Sequence, residues 1–212
     1  MIRVHHLNNS RSQRVLWLLE ELGRPYEVVR YERDPGTMLA PASLRRVHPL
    51  GKSPVIEDGG RVLAETGAVV DYLVTRYGPE LAPTPDPDSD AHWRYRYWLH
   101  YAEGSAMPPL LLKLKLILNR LGWLGRPARG FVERQLTTHL DYLEAELGDG
   151  PWFMGDGFTA ADVMLSFPLE IAVSRAGLDA SRPNLWRFLQ RAHARPAYRR
   201  ALEQGGAYAF AS

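Results

Sequence analysis

A proline-rich segment at residues 79–88 divides the chain into two parts with different residue patterns. Its four prolines predict a stiff, extended linker. Before it, residues 1–78 alternate strand and helix patterns in the order βαβαββα, which predicts one mixed sheet of four strands. After it, residues 89–212 show helical periodicity and no convincing strand. The sequence therefore predicts an α+β domain followed by an all-helical domain.

The individual elements follow from apolar spacing and from glycine and proline stops. In the first domain we expect strands at 2–7, 26–31, 55–56 and 61–64, and helices at 12–22, 41–47 and 66–77. In the second domain we expect helices at 89–121, 127–147, 160–176, 183–194 and 197–204.

The composition excludes several classes of chemistry. With no cysteine, the chain has no disulfide, thiolate–metal site or cysteine nucleophile, so any sulfur chemistry needs sulfur from the substrate. No phosphate-binding glycine motif or serine-nucleophile elbow occurs, and the seven histidines lack a metal-binding spacing. A net charge of +2, with acidic residues interspersed, argues against nucleic-acid binding. No metal site is expected.

No sequence segment suggests a membrane protein. The most apolar stretch, residues 107–118, is too short to span a bilayer and contains Lys113 and Lys115. An N-terminal signal pattern is also missing. We therefore expect a cytoplasmic protein with no membrane association.

Two short segments predict a binding site for a small zwitterionic peptide. Gly51–Ile56 and Leu63–Thr66 flank an Asp58-Gly59-Gly60 turn and so form a hairpin. If the Ser53–Pro54 bond is cis, the Ser53 backbone can pair with an extended peptide. Glu65 could then hold an ammonium group, and the Thr66 hydroxyl at a helix N-terminus could hold a carboxylate.

These segments belong to a set of motifs that occurs in order along the whole chain. His6 to Val15 resembles a first strand, active-site loop and first helix, with Ser10 four residues before Arg14. The other motifs are His48-Pro49-Leu50-Gly51-Lys52-Ser53-Pro54, Glu65-Thr66, Arg182-Pro183-Asn184-Leu185, and Arg195-Pro196-Ala197 followed by Arg200-Ala201-Leu202. The set resembles the glutathione S-transferase family, in its serine-type, bacterial and fungal-like cytosolic branch.

The resemblance implies a thioredoxin-like first domain (1–78), the linker (79–88) and an all-helical second domain (89–212), with the active site in the cleft between the domains. Glutathione would be the co-substrate, with no permanently bound cofactor. Ser10 would be catalytic, donating a hydrogen bond to the glutathione thiolate. Glutathione itself would be bound by Lys52, Ser53, Pro54, Glu65, Thr66 and His48. Ser53 replaces the apolar residue that the family usually carries before its proline.

Simpler structural roles remain open for several of these residues. Ser10 and Gln13 have the spacing of a helix capping box, so Ser10 could be only a cap. Asn9, Ser12 and Arg11 are alternates as the donor or the source of positive potential near the sulfur. Thr66 also suits a helix N-cap.

The helical domain supplies weaker candidates. By resemblance, the electrophile pocket would include Tyr101, Ser105 and Met107, and Glu103 would reach the glutathione of a partner subunit. Thr159 and Asp162 have capping-box spacing at the start of a helix, which we interpret as structural.

The resemblance therefore implies a detoxifying glutathione S-transferase, a homodimer that conjugates glutathione to a small hydrophobic electrophile. Two alternatives stay open at this point. One is a glutathione-dependent peroxidase acting on organic hydroperoxides. The other is a non-catalytic protein of the same fold that binds other proteins.

Overall fold

The first part of the chain folds in the order that its pattern predicts. The computed structural model of the protein describes residues 1–117 and 125–211. The strands are β1 (Ile2–Leu7), β2 (Tyr26–Tyr31), β3 (Val55–Asp58) and β4 (Arg61–Ala64), and the helices are α1 (Ser12–Glu21) and α2 (Thr66–Tyr77). The short helix predicted at 41–47 is a 3-10 helix, Ala42–Arg46.

The four strands form one sheet in the order β2-β1-β3-β4. β1 runs parallel to β2 and antiparallel to β3, with Val4 opposite Val28 and Ile56. β3 and β4 form the predicted hairpin, in which Gly59 and Gly60 have φ values of 55° and 82°. Such positive φ values suit glycine and allow the tight turn. The central position of β1 explains why its apolar side chains are buried.

The rest of the described chain is helical. The helices are α3 (Asp90–Tyr101), α4 (Met107–Ile117), α5 (Gly125–Leu147), α6 (Ala160–Ala176), α7 (Pro183–Ala194) and α8 (Pro196–Gly205). A π-helical turn, Ala102–Ala106, joins α3 to α4 within the single helix predicted at 89–121, and a 3-10 helix, Pro79–Leu81, lies in the predicted linker. Residues 118–121, the predicted end of that helix, lie outside the described residues.

The predicted capping box at α6 is present. The Thr159 N–H and hydroxyl both donate to the Asp162 carboxylate, at 2.8 Å and 3.1 Å, and the Asp162 N–H donates to the Thr159 carbonyl. Asp162 also accepts from the Phe153 N–H at 2.9 Å. These bonds fix the start of α6, which is buried over most of its length.

Packing divides the chain into two compact units. The first contains Met1–Ala82 together with the chain from His193 onward, and the second contains Pro83–Ala192. This division by contact differs from the predicted division by secondary structure, because the last helix, α8, groups with the sheet-containing unit. In that unit the Tyr198 ring packs edge-on against Trp17 of α1, at 5.2 Å between centroids.

Candidate active site

The loop between β1 and α1 carries Ser10 in a buried position. The Ser10 Oγ lies 2.8 Å from the Ser12 Oγ and accepts a hydrogen bond from the Ser12 N–H at 3.2 Å. The alternative capping box is not formed: α1 begins at Ser12 without a side-chain cap, and both amide atoms of Gln13 lack a hydrogen-bond partner among the described residues. The Ser10 side chain is therefore bound to Ser12, and Gln13 contacts Ser10 only through its backbone N–H, which donates to the Ser10 carbonyl at 3.2 Å.

His6 is a functional candidate that sequence reasoning missed. Its Nδ1 lies 2.9 Å from the Ser12 Oγ, and its ring also bonds to the backbone of Gly205 in α8. Burial, helped by the positive charge of Arg30, lowers the pKa of His6 to about 4, so the ring is neutral near pH 7. The available signal was a histidine at the end of an apolar strand, four residues before Ser10.

Arg33, also missed, holds the loop from its other side. Its guanidinium donates to the carbonyl oxygens of Asn8, Asn9 and Met38, at 3.2, 3.4 and 3.1 Å. Burial lowers the pKa of Arg33, and the positive charge of Arg11 lowers it further. These two guanidinium groups place positive charge beside the Ser10 loop, which favours an anion there.

The side chains of the two alternates Asn9 and Ser12 both make hydrogen bonds within the fold. Asn9, at a φ of 49°, accepts a hydrogen bond through its side-chain oxygen from the N–H of Ala209, at 2.7 Å. Ser12 Oγ bonds to His6 and accepts from the Leu7 N–H at 3.3 Å. Ser12 therefore lies behind Ser10 as its partner.

The Ser53–Pro54 segment lies beside the end of β1. The peptide bond is cis. The Ser53 hydroxyl donates to the His5 carbonyl at 2.8 Å and accepts from the Leu7 N–H at 3.3 Å. Because Ser12 bonds to the same Leu7 N–H, this places Ser53 next to the Ser10 loop. The serine that departs from the family pattern thus connects two parts of the site.

The neighbouring basic candidates differ in their surroundings. Lys52 is exposed to solvent. His48 is half-buried, and its Nδ1 is buried without a hydrogen-bond partner among the described residues. A buried polar nitrogen of this kind lacks the hydrogen bond that such groups normally make.

Glu65 and Thr66 lie across the hairpin from Pro54. Val55 pairs with Ala64 in the β3–β4 ladder, so the residue that precedes β3 faces the residues that follow β4. Glu65 has a φ of 69°, which is costly for a non-glycine residue and is typical of functional sites. Thr66 is buried and is the first residue of α2. The predicted N-cap role for Thr66 is therefore wrong, because Glu65 occupies the N-cap position. Free backbone N–H groups at this helix end favour an anionic ligand.

The candidates in the helical unit are only partly brought together. Ser105 lines a groove of ≈ 360 Å³ between α4 and α5. Tyr101 is buried, and its hydroxyl is 2.7 Å from the Nδ1 of His139, which also lines the groove. Burial raises the pKa of Tyr101 and lowers that of His139. Met107 is buried and does not line the groove, whereas Glu103 lies in the π-helical turn.

Residues 1–117 and 125–211 contain neither a metal-binding cluster nor a helix suited to a membrane. Within these ranges no cluster of three histidine, aspartate or glutamate side chains could hold a metal ion. In the same part of the chain no helix combines the length and the apolar character needed to cross a membrane.

Comparison with known proteins identifies relatives over nearly the full length. Family models described as "Glutathione S-transferase, N-terminal domain" and "Glutathione S-transferase, C-terminal domain" match residues 10–76 and 117–191. Glutathione S-transferase 3 of Schizosaccharomyces pombe is 35% identical over 96% of this chain and 88% of its own length. Glutathione S-transferase 1 of Saccharomyces cerevisiae is 32% identical over 82% of each chain.

Solved structures that are similar to this chain are also described as glutathione transferases. A glutathione S-transferase from Actinobacillus pleuropneumoniae is 36% identical, covers 99% of this chain and 95% of its own, and superposes with a TM-score of 0.86. A glutathione transferase family member from Pseudomonas fluorescens with two glutathione molecules bound is 25% identical over 95% of this chain and 92% of its own, with a TM-score of 0.80. The predicted fold class is confirmed.

Proposed function

This chain belongs to the glutathione S-transferase family, and on that premise we propose that it binds reduced glutathione in its sheet-containing unit and transfers it to a hydrophobic electrophile. Ser10 stabilises the glutathione thiolate in this proposal. The supporting observation is that three separate segments meet at one edge of the sheet. They are the Ser10 loop after β1, Ser53–Pro54 before β3 and Glu65–Thr66 after β4.

The charges at this edge match the charges of glutathione. Glu65 holds the ammonium of the γ-glutamyl group, and Thr66 with the N-terminus of α2 holds the adjacent carboxylate. The backbone of Ser53 pairs with the cysteinyl residue. Exposed Lys52 holds the glycine carboxylate, and half-buried His48 assists from the same loop. Each end of the peptide thus meets the opposite charge or a free donor.

Thiolate formation requires a modest energy that the Ser10 loop can supply. A free thiol has a pKa of about 8.5, and lowering it by about two units requires ~2.7 kcal/mol. A hydrogen bond to a charged group contributes about 1.5–3 kcal/mol. The N-terminus of α1 adds about 0.3–1 kcal/mol. The Arg11 guanidinium, whose charge also reaches Arg33, adds positive potential. The thiolate then attacks the electrophilic carbon, so that a C–S bond forms while the leaving group departs with its electron pair. Proximity supplies the rest of the rate.

The electrophile binds against the helical unit, in the groove lined by Ser105. Its walls include Pro108, Leu112 and Phe131, which suit an apolar ligand. His139, held by Tyr101, offers a neutral polar group there. Tyr101 in this proposal positions His139, and Met107 supports the wall from behind.

We extend the proposal to a homodimer that detoxifies electrophiles in the cytoplasm, with Glu103 reaching the partner's glutathione. Exposed apolar side chains on two helices support the dimer: Trp93 on α3 and Leu111 on α4. Light scattering over a range of protein concentrations measures the assembly directly. A monomeric mass at all concentrations would contradict it.

Calorimetry of glutathione binding, repeated across pH, tests the central proposal. We expect the wild type to release a proton on binding near neutral pH, and Ser10→Ala to bind without that release. Ser166→Ala serves as the control, because this buried hydroxyl donates to the Val163 carbonyl in α6 and should leave both results unchanged. Proton release that persists in Ser10→Ala would move the donor to Asn9 or Ser12. No binding by the wild type would overturn the enzyme assignment.

A further inference from the structure

Three buried side chains form a hydrogen-bonded row behind the proposed thiolate site. The Ser10 Oγ is 2.8 Å from the Ser12 Oγ, which is 2.9 Å from the His6 Nδ1. The His6 ring bonds in turn to the backbone of Gly205, and all three side chains are buried. The row connects the end of α8 to Ser10.

The direction of these hydrogen bonds follows from the His6 ring. Its bond to the Gly205 backbone favours the protonated ring, so the ring donates to the carbonyl oxygen. A neutral imidazole has one N–H, which leaves Nδ1 as an acceptor. The neighbours on α1, Ser12 and Gln13, are uncharged, and the positive charge of Arg30 on β2 disfavours a second ring proton. The Ser12 hydroxyl has two acceptors within reach, the His6 Nδ1 at 2.9 Å and the Leu7 carbonyl oxygen at 3.4 Å. The shorter distance assigns the proton to His6, and neither acceptor leaves it for Ser10.

This assignment fixes what Ser12 can do for Ser10. A hydroxyl has one proton, and that of Ser12 is used on His6. Its oxygen can only accept, from the Leu7 N–H and from Ser10. In the free protein the Ser10 proton therefore points toward Ser12. A bound thiolate must take that proton from Ser12 in order to be stabilised.

We propose that His6 and Ser12 are positioning residues that hold the Ser10 proton away from the bound sulfur and so limit how much thiolate the protein forms. The inference rests on the proposed function of Ser10. The inference predicts that removal of Ser12 increases the fraction of bound glutathione that is thiolate. A residue that only supported the loop would decrease it when removed.

The test is a pH titration of bound glutathione, followed through the ultraviolet absorbance of the thiolate. Ser12→Ala removes the competing acceptor, while the Leu7 N–H retains Ser53 as a partner. A neutral hydrogen bond corresponds to roughly a two- to tenfold change in equilibrium, so we expect that much more thiolate at a pH below the thiol pKa. Ser10→Ala should reduce the thiolate, and Ser166→Ala should not change it.

The double variant shows whether the effect passes through Ser10. In a Ser10→Ala background, the Ser12→Ala substitution should no longer change the thiolate. An effect that persists there, or a single Ser12→Ala variant with equal or less thiolate, overturns the inference and leaves the proposed function intact. A wild type that binds no glutathione overturns the proposed function itself.

A measurement on the unaltered protein does not depend on the stability of any variant. Nitrogen-15 NMR of the histidine rings reports which ring nitrogen carries the proton. We expect His6 in the free protein to be protonated on Nε2 and bare on Nδ1. A proton on Nδ1 would make His6 the donor to Ser12, would free the Ser12 hydroxyl to donate to Ser10, and would overturn the inference.

Discussion

His6 connects proton binding to stability at the scale of one residue. Its folded pKa is about 4, against an ordinary value of 6.5. As the pH falls below 6.5, the unfolded chain takes up a proton that the folded protein does not. Stability is therefore lost between pH 6.5 and 4, by about 3 kcal/mol when complete. We expect urea unfolding of the wild type to show this loss relative to His6→Asn, whose amide oxygen can still accept from Ser12.

The wild type must be compared with His6→Asn because Asp162 also titrates in this pH range. Burial raises the pKa of Asp162 to about 6, so its contribution to stability falls as the pH rises through that range, opposite in sign to that of His6. Because Asp162 is present in both proteins, the difference between wild type and His6→Asn isolates His6. Parallel stability profiles for the two proteins would show that His6 titrates normally.

The same residues show how far the sequence predicts the site. The spacing of Ser10 before Arg14, and the Glu65-Thr66 pair after a strand, depend on residues close in sequence and are visible there. The roles of Ser12 and His6 depend on the carbonyl of Gly205, which is almost 200 residues away. Because so distant a group sets the direction of the Ser12–His6 hydrogen bond, no local sequence pattern predicts it.

At the scale of elements, the contact between α8 and α1 is tight at Gly205. A Cβ added there would lie 2.6 Å from the Gln13 Oε1 and 3.1 Å from the Leu16 Cδ1. Alanine in a helix is intrinsically favoured over glycine by about 1 kcal/mol. Overpacking of a buried contact costs about 1–3 kcal/mol. We therefore expect Gly205→Ala to lower the free energy of unfolding by up to about 2 kcal/mol in urea unfolding.

Gly67 provides the matched control for this substitution. It is also a helical glycine, in α2, but no atom lies within 4 Å of an added Cβ. Gly67→Ala should leave the free energy of unfolding unchanged or raise it by up to about 1 kcal/mol. If Gly205→Ala proved as stable as Gly67→Ala, the α8–α1 contact would be looser than this geometry requires.

The π-helical turn between α3 and α4 is an element that periodicity did not predict. Apolar spacing is similar on both sides of it, so the sequence indicates one continuous helix. Pro108 and Pro109 follow the turn and lack the N–H groups that would donate to the carbonyl oxygens of Gly104 and Ser105. Loss of two consecutive helical bonds accounts for the change of register just before them.

At the scale of the whole chain, the last helix belongs with the first unit. Helical periodicity in residues 197–204 predicted α8, but periodicity gives the type of an element and not the element on which it packs. The buried side chains of α8 include Ala197, Tyr198 and Ala201. Tyr198 packs against Trp17, and Arg30 of β2 donates to the carbonyl of Gln204 at 2.5 Å. The two ends of the chain therefore form one compact unit.

Two ion pairs to α1, one from Arg195 at the N-cap of α8 and one from Arg200 within α8, differ in burial. The difference gives a test of how the packing of α8 on α1 is stabilised. Arg195 binds both carboxylate oxygens of Glu21, at 2.6 and 2.9 Å, and these side chains are 30% and 10% exposed. Arg200 binds Glu20 at 2.7 Å, but the Arg200 side chain is 52% exposed. Part-buried, bidentate bonds to a charged group contribute about 1.5–3 kcal/mol. Exposed pairs contribute up to about 1 kcal/mol.

We therefore expect Arg195→Ala to lower the free energy of unfolding by about 1.5–3 kcal/mol, and the control Arg200→Ala by less than about 1 kcal/mol. Urea unfolding of both variants measures the difference. High salt should weaken the Arg200 pair more than the Arg195 pair, because solvent ions screen exposed charges best. Equal losses in the two variants would mean that apolar contacts such as Tyr198 on Trp17 hold α8 in place, and that the ion pairs add little.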